Sequence, residues 1–252
     1  MPHAWLERRR FPMRTGHGLV TTGHEAAEPS GVTTTEVTRP AALDAHRWAM
    51  VSGTAGVIAN VVMIVFFALA QPLGAANPRF MWLGTANDAI IVVQFAAFIP
   101  VALALLDRLP PIRTVQLATA AAVAAMGAAM MLQLLLIAGL LSFEVQVYPV
   151  TAAFAVVFGW VLSISRIGYR TGALPRRVAR IGLFLGLSLP VGLFVAGVGL
   201  LIPDGVAARY IPLAIGVVVA AIGWLALPLW PLVLARFVFR KEQESVKEGL
   251  LR

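Results

Sequence analysis

The chain has 252 residues, of which 59% are hydrophobic and only 13% are charged. Soluble domains carry about 25% charged residues, so this composition excludes an ordinary soluble protein and indicates a membrane protein. Cysteine is absent, which excludes disulfide bridges, thiolate metal sites and cysteine nucleophiles. The net charge is +8. Because basic cytoplasmic loops give a membrane protein such a charge, no nucleic-acid partner is expected.

The N-terminal segment is polar and lacks an apolar period. We predict that residues 1–46 form a largely disordered basic cytoplasmic tail, and that 239–252 form a second charged tail. Arg8-Arg9-Arg10-Phe11 is similar to a twin-arginine export signal. No apolar stretch follows it, so contact with anionic lipid is the better interpretation. All four histidines precede the first apolar run, so none is expected to bind metal or haem among the helices.

Six apolar runs follow, each long enough for a hydrocarbon core that requires about 20 residues. Backbone polar groups in lipid must bond within their own segment, so we predict an all-α protein with six transmembrane helices, packed as a compact bundle over 47–238. Prolines at 100, 190, 228 and 231 are expected to kink helices. The predicted spans are 48–70, 85–106, 115–141, 148–165, 178–202 and 211–235.

The distribution of arginine and lysine predicts the orientation of these spans. Eighteen of the 20 basic residues fall in the two tails, in the loops after spans two and four, or at the start of span five. Only Arg79 and Arg209 fall on the other side. We therefore predict that both termini are cytoplasmic, as an even number of spans requires. The arginine- and alanine-rich composition is typical of a GC-rich genome, which indicates a bacterial plasma (inner) membrane.

Four polar residues within or at the ends of the spans are candidates for an intramembrane site: Asn60, Asn87, Gln94 and Gln133. Asn60, Gln94 and Gln133 could meet near the middle of the bundle as a small polar cluster. Two interpretations remain open, namely hydrogen bonds that join helices and contacts with a solute or ion. We favour the first, because no pair of carboxylates accompanies the amides.

Charged residues near the predicted outer ends of the helices form a second candidate group: Asp88, Glu144, Arg79 and Arg209. An acid–base pair among them could form a gate or a binding mouth. The alternative, which we favour, is an exposed ion pair of little energy. Thr85 is also predicted to cap the second span, with Asp88 three residues later in a capping-box arrangement that suits the helix dipole.

The cytoplasmic side carries a third group: Arg166, Arg170, Arg176 and Arg177. These residues could bind anionic lipid headgroups, although the topology signal alone explains them. Span five then contains Gly182 and Gly186 in a GxxxG pattern, which favours close packing of helices within the chain over contact between copies. Trp160 and Trp224 lie deep in their spans, so we expect them to pack between helices.

The segment Arg170-Thr171-Gly172-Ala173-Leu174-Pro175-Arg176-Arg177 leads into Ile181-Gly182-Leu183 and Gly186. It resembles uncharacterised six-helix bacterial integral membrane proteins, grouped as domains of unknown function. In those proteins a short basic Gly-x-Leu-Pro-Arg loop joins two late spans. The resemblance implies the same six-span plan, and it implies no activity, cofactor or site residue.

The sequence contains no HExxH, GxSxG, Walker loop or dinucleotide fingerprint, so no catalytic, metal or cofactor residue is predicted and no cofactor is expected. The favoured function is a non-catalytic structural, accessory or regulatory membrane component. Its expected partners are the lipid bilayer and either another membrane protein or a second copy. The alternative is a small transporter or channel whose polar site comes from Asn60, Gln94 and Gln133. An enzyme acting on lipid has the least support, since no nucleophile and base occur together.

Overall fold

The computed structural model describes residues 39–71, 77–203 and 205–240, with side chains from Asp44 onward. Within these residues the chain forms helices and no strand, and six helices are long and apolar enough to cross a membrane. The predicted all-α class and the six apolar helices are therefore confirmed. Most of each predicted tail, 1–38 and 241–252, lies outside the described residues.

The helices are joined by short connections, and two 3-10 turns, Pro78–Phe80 and Ala207–Arg209, lead into the second and sixth of them. A π-helical segment, Ala235–Phe239, continues the last helix. The helices are α1 (Arg39–Leu69), α2 (Trp82–Leu106), α3 (Arg113–Ile137), α4 (Phe143–Thr171), α5 (Arg176–Leu200), α6 (Tyr210–Ala226) and α7 (Leu229–Leu234).

Helix α1 starts before the boundary expected at residue 47. It begins at Arg39 and runs through the predicted end of the tail. Pro40 stands in the first turn, where its missing N–H loses no helical hydrogen bond, and alanine and leucine favour helix after it. His46 therefore belongs to α1, although it precedes the apolar run that begins at Trp48.

Helix α2 also starts early, so the predicted cap at Thr85 is wrong. The Asn77 side chain accepts a hydrogen bond from the Arg79 N–H at 3.2 Å, and Pro78 follows it in the 3-10 turn. This turn runs into α2 at Trp82, so Thr85 lies inside a helix that has already begun. The Asn77-Pro78 pair marks the start of this helical segment. The spacing of Thr85 and Asp88 had indicated a later start.

Helix α4, predicted as the shortest span, has 29 residues. The helix extends at both ends through charged residues, beyond its apolar core. Hydropathy alone does not detect these charged turns. Gly172 ends it with a φ of 74°, a left-handed conformation that favours glycine. Leu174 then folds back onto Gly168, where an added Cβ would lie 2.6 Å from Leu174 Cδ1. The Gly-x-Leu-Pro pattern is thus explained as a helix-ending turn.

Each long helix packs against the next one in the chain, and α7 with the π-helical segment returns to α1. Aromatic rings fill the interior. Phe98, Trp160 and Trp230 meet edge to face, with ring centroids 5.7 to 6.1 Å apart. Phe154 lies between Phe95 and Trp224, at 5.0 and 3.9 Å. The predicted interhelical packing of Trp160 and Trp224 is confirmed.

Glycines bring α5 close to both of its neighbours. An added Cβ on Gly186 would lie 2.5 Å from the Leu162 backbone nitrogen on α4. One on Gly192 would lie 2.7 Å from the backbone nitrogen of Ala220 and the oxygen of Gly216, both on α6. Only glycine permits backbones to approach this closely. The GxxxG contact is therefore internal, as expected.

The sixth predicted span, 211–235, is broken in the structure. Helix α6 ends at Ala226, and α7 begins at Leu229 after a turn that contains Pro228. Proline has no N–H and cannot continue the helical bonding, while the Leu227 N–H turns back to the Gly223 and Trp224 carbonyls at 2.9 and 3.3 Å. Backbone carbonyl groups of this segment, those of Leu225 and Pro228, lie next to α1.

Candidate functional site

A small cavity lies at the break after α6. Its volume is about 10 Å³, close to the space that one water molecule requires. Helices α1, α2 and α4 form its walls together with the break itself. The lining residues are Ala59, Asn60, Asn87, Ile91, Gln94, Phe154, Trp224, Leu227 and Pro228. Three of the four polar residues predicted for an intramembrane site are therefore brought together here.

Asn60 joins α1 to the broken end of α6. Its Nδ2 donates a hydrogen bond of 2.8 Å to the backbone oxygen of Leu225. The last carbonyls of a helix lack partners within the helix, and in lipid they must find a donor elsewhere. Asn60 thus has a structural role, as the hydrogen-bonding interpretation predicts. Because the bond uses its amide nitrogen, its amide oxygen remains available as an acceptor.

Gln94 is the central residue of α2, and its side chain is only 6% exposed. Among the residues that the structure describes, it has no hydrogen-bond partner. Gly56 provides the space for it, since an added Cβ there would lie 2.7 Å from Gln94 Nε2 and from Pro228 Cβ. A buried unpaired amide costs about 1–3 kcal/mol. Packing against Gly56 therefore explains where Gln94 lies, but it does not explain why a polar residue occupies this position.

Asn87 lies two turns before Gln94 on the same face of α2 and lines the same cavity. Its side chain lies beside the Asp88 carboxyl group, which is half-buried. Asp88 does not line the cavity. A carboxyl group is therefore separated from the cavity by one amide side chain.

Gln133 does not reach this cavity, so the predicted cluster of Asn60, Gln94 and Gln133 does not form. Instead, the Gln133 Oε1 accepts a hydrogen bond of 2.6 Å from Nε2 of Gln146 on α4, and both residues are buried. Gln146 was not predicted as a candidate, because it lies outside the predicted fourth span. Thr119 and Trp160 form a second buried pair between α3 and α4, at 3.1 Å. The polar face of α3 therefore bonds to α4.

Replacing Gln133 with leucine is expected to destabilise the protein by about 1–3 kcal/mol, because Gln146 would lose its buried partner. The double variant Gln133→Leu/Gln146→Leu should recover most of this loss, since it leaves no buried amide unpaired. Unfolding of the wild type, both single variants and the double variant in detergent micelles measures the coupling. Additive losses in the double variant would contradict the pairing.

Among the predicted outer charges, no ion pair joins Asp88 or Glu144 to Arg79 within the described residues. Arg79 lies 5.9 Å from the Phe80 ring centroid instead. Glu144 is exposed in the first turn of α4, where the helix dipole favours a carboxylate.

The predicted cytoplasmic arginines lie together at one end of the bundle. Arg166 and Arg170 are in the last turns of α4, Arg176 and Arg177 are in the first turn of α5, and all four are exposed. A groove of about 330 Å³ lies alongside, between α5 and the break after α6. Its lining residues are Arg180, Ile181, Phe184, Leu185, Ala226 and Leu229. An apolar groove that includes an arginine suits an anionic lipid.

These features define the class as a multi-pass helical membrane protein. In the part of the chain that the structure describes, no three His, Cys, Asp or Glu side chains come together as metal ligands would. Comparison with known proteins adds no identification, since no family model, curated protein or solved structure matches the chain.

Proposed function

We propose that this protein is a non-catalytic component of a bacterial plasma membrane, with a structural, accessory or regulatory role. One observation carries the proposal, namely that polar groups in the interior bond to each other across helices. The bonds join Gln133 to Gln146, Thr119 to Trp160, and Asn60 to the Leu225 carbonyl. Such bonds fix helices against one another and leave few polar groups for chemistry.

The proposed orientation has both termini in the cytoplasm. The excess of arginine and lysine on one side of the bundle supports it. The resemblance of the loop before α5 to that of uncharacterised six-helix bacterial membrane proteins supports the same plan. The four exposed arginines of this end, together with the groove at Arg180, are proposed to contact anionic lipid headgroups.

The proposed partner is another membrane protein or a second copy of the chain. Helix α6 supports this choice, because it packs chiefly against α5 and only 11% of its most apolar segment is buried within the chain. Its remaining surface is apolar and faces away from the bundle. That surface is available to another helix in the membrane as well as to lipid.

Purification from native membranes in a mild detergent, followed by measurement of particle mass, tests this proposal. The expected result is a stable complex that is larger than one chain in its micelle. As a control, two differently tagged preparations are mixed after solubilisation, which shows whether the complex existed in the membrane. A lone chain that moves a solute across liposome membranes would contradict the proposal.

The second candidate function is a small transporter, and the break after α6 is the observation that favours it. Transporters bind substrates and coupling ions where helices are discontinuous near the middle of the membrane. Here the break meets Asn60, Asn87 and Gln94. Uptake into liposomes that is lost in Gln94→Leu, and kept in Gln133→Leu/Gln146→Leu, would support transport. Equal uptake by protein-free liposomes would exclude it.

A further inference from the structure

We infer that the cavity at the break after α6 binds a small monovalent cation. The inference goes beyond the proposed function, because a bound cation suits a structural component as well as a transporter. It depends on the cavity alone. Its test requires neither a partner protein nor solute flux, so it can fail without the proposed function failing.

Gln94 carries the amide group on which the site depends. Gln94 is 6% exposed, lines the cavity and has no hydrogen-bond partner among the described residues. Gly56 leaves the space for this amide, since an added Cβ there would lie 2.7 Å from Gln94 Nε2. An amide oxygen kept unpaired in the centre of α2 is a ready ligand for a cation.

Further polar groups surround the break beside Gln94. Asn60 and Asn87 add two more amide groups, and Asn60 donates through its nitrogen. The carbonyl end of α6 carries a partial negative charge, and half-helix ends of this kind coordinate ions in transporters. Three amide side chains therefore line the cavity, next to the carbonyl end of α6.

The charge and the size of the cavity limit the kind of ion that it can hold. Amide and carbonyl oxygens suit hard cations, but a divalent ion usually takes carboxylate ligands as well. No carboxyl group of the described residues lines this cavity, and Asp88, which contacts Asn87, lies outside the lining. A volume of about 10 Å³ admits one ion and excludes organic solutes. These limits together favour a single alkali-metal ion.

The aromatic wall of the cavity supplies a probe. Trp224 and Phe154 line the cavity, and their ring centroids lie 3.9 Å apart. Because Trp224 borders the site, its fluorescence should change when an ion binds. The Trp224→Phe variant keeps an aromatic ring there and removes that signal.

Thermal unfolding of the full chain in detergent tests the inference. Sodium, potassium and lithium chloride are compared with choline chloride at equal ionic strength. At least one alkali ion should raise Tm in a saturable way, by about 4 °C or more at 100 times its Kd. Gln94→Leu should lose this shift. Gln133→Leu/Gln146→Leu, which removes a buried amide pair elsewhere, should keep it.

Two results would overturn the inference. Equal Tm in all four salts would show that the cavity takes water and no cation, and an unchanged shift in Gln94→Leu would place the ion elsewhere. If Gln94→Leu does not fold, fluorescence decides. A saturable, ion-specific change in the wild type that is lost in Trp224→Phe supports the site, whereas no ion-specific change in the wild type contradicts it.

Discussion

Replacing Trp230 with alanine is expected to lower the free energy of unfolding by about 3–5 kcal/mol. The Trp230 side chain is fully buried and contacts the Phe98 and Trp160 rings edge to face. Its indole N–H has no hydrogen-bond partner among the described residues, so the loss is one of packing. Lipid cannot fill an enclosed space within the bundle, and the lost contacts are not replaced.

Unfolding in mixed micelles measures this effect, with Trp82→Ala as the matched control. Trp82 is 62% exposed at the start of α2, so its loss should change stability by less than about 0.5 kcal/mol. The Trp230→Phe variant keeps an aromatic ring in place, so its loss of stability should lie between those of Trp230→Ala and Trp82→Ala. Equal destabilisation by Trp230→Ala and Trp82→Ala would show that Trp230 is not at the centre of a packed core.

The Gly216→Val variant is expected to lose about 3 kcal/mol, because the added side chain would separate α6 from α5. A Cβ on Gly216 would lie 2.6 Å from the Gly192 carbonyl oxygen and 2.8 Å from Ala196 Cα. Backbone atoms cannot move aside as a flexible side chain can. Since α6 packs chiefly against α5, few other contacts would hold it in place.

Limited proteolysis and thermal unfolding report this separation. Gly197→Val on α5 is the matched control, since an added Cβ there meets no atom within 4 Å. The control should unfold like the wild type and resist protease at the connection before α6. Equal stability of the two variants would contradict the close contact between α5 and α6.

The six helices could be predicted from the sequence because charge is nearly absent over each apolar run. Their ends were harder to predict. Helix α4 extends through Glu144 and Arg170, since a helix can continue in the interfacial region where hydropathy is low. The position of the break at Pro228 was also hard to predict, because it depends on packing against other helices. Pro100 and Pro190 lie inside continuous helices, so proline alone does not identify a break.

The candidate site was predicted in part. Polar residues are rare in membrane helices, so Asn60, Asn87 and Gln94 could be selected by that property alone. The partners of these residues could not be predicted. A helix that is apolar on all faces gives little periodic signal that shows which face contacts a neighbouring helix. Gln133 was therefore assigned to the wrong neighbour. Gly56 could not be selected in this way, because the space it leaves for Gln94 exists only after packing.

Labelling of single cysteines in intact cells tests the central claim that six helices cross the membrane with both ends in the cytoplasm. The chain contains no cysteine, so an introduced thiol has no background. Ser142 lies between α3 and α4, Thr171 lies at the end of α4, and both are exposed. A membrane-impermeant maleimide should label Ser142→Cys in intact cells, and Thr171→Cys only after permeabilisation. Labelling of both in intact cells, or the reverse pattern, would contradict the proposed topology.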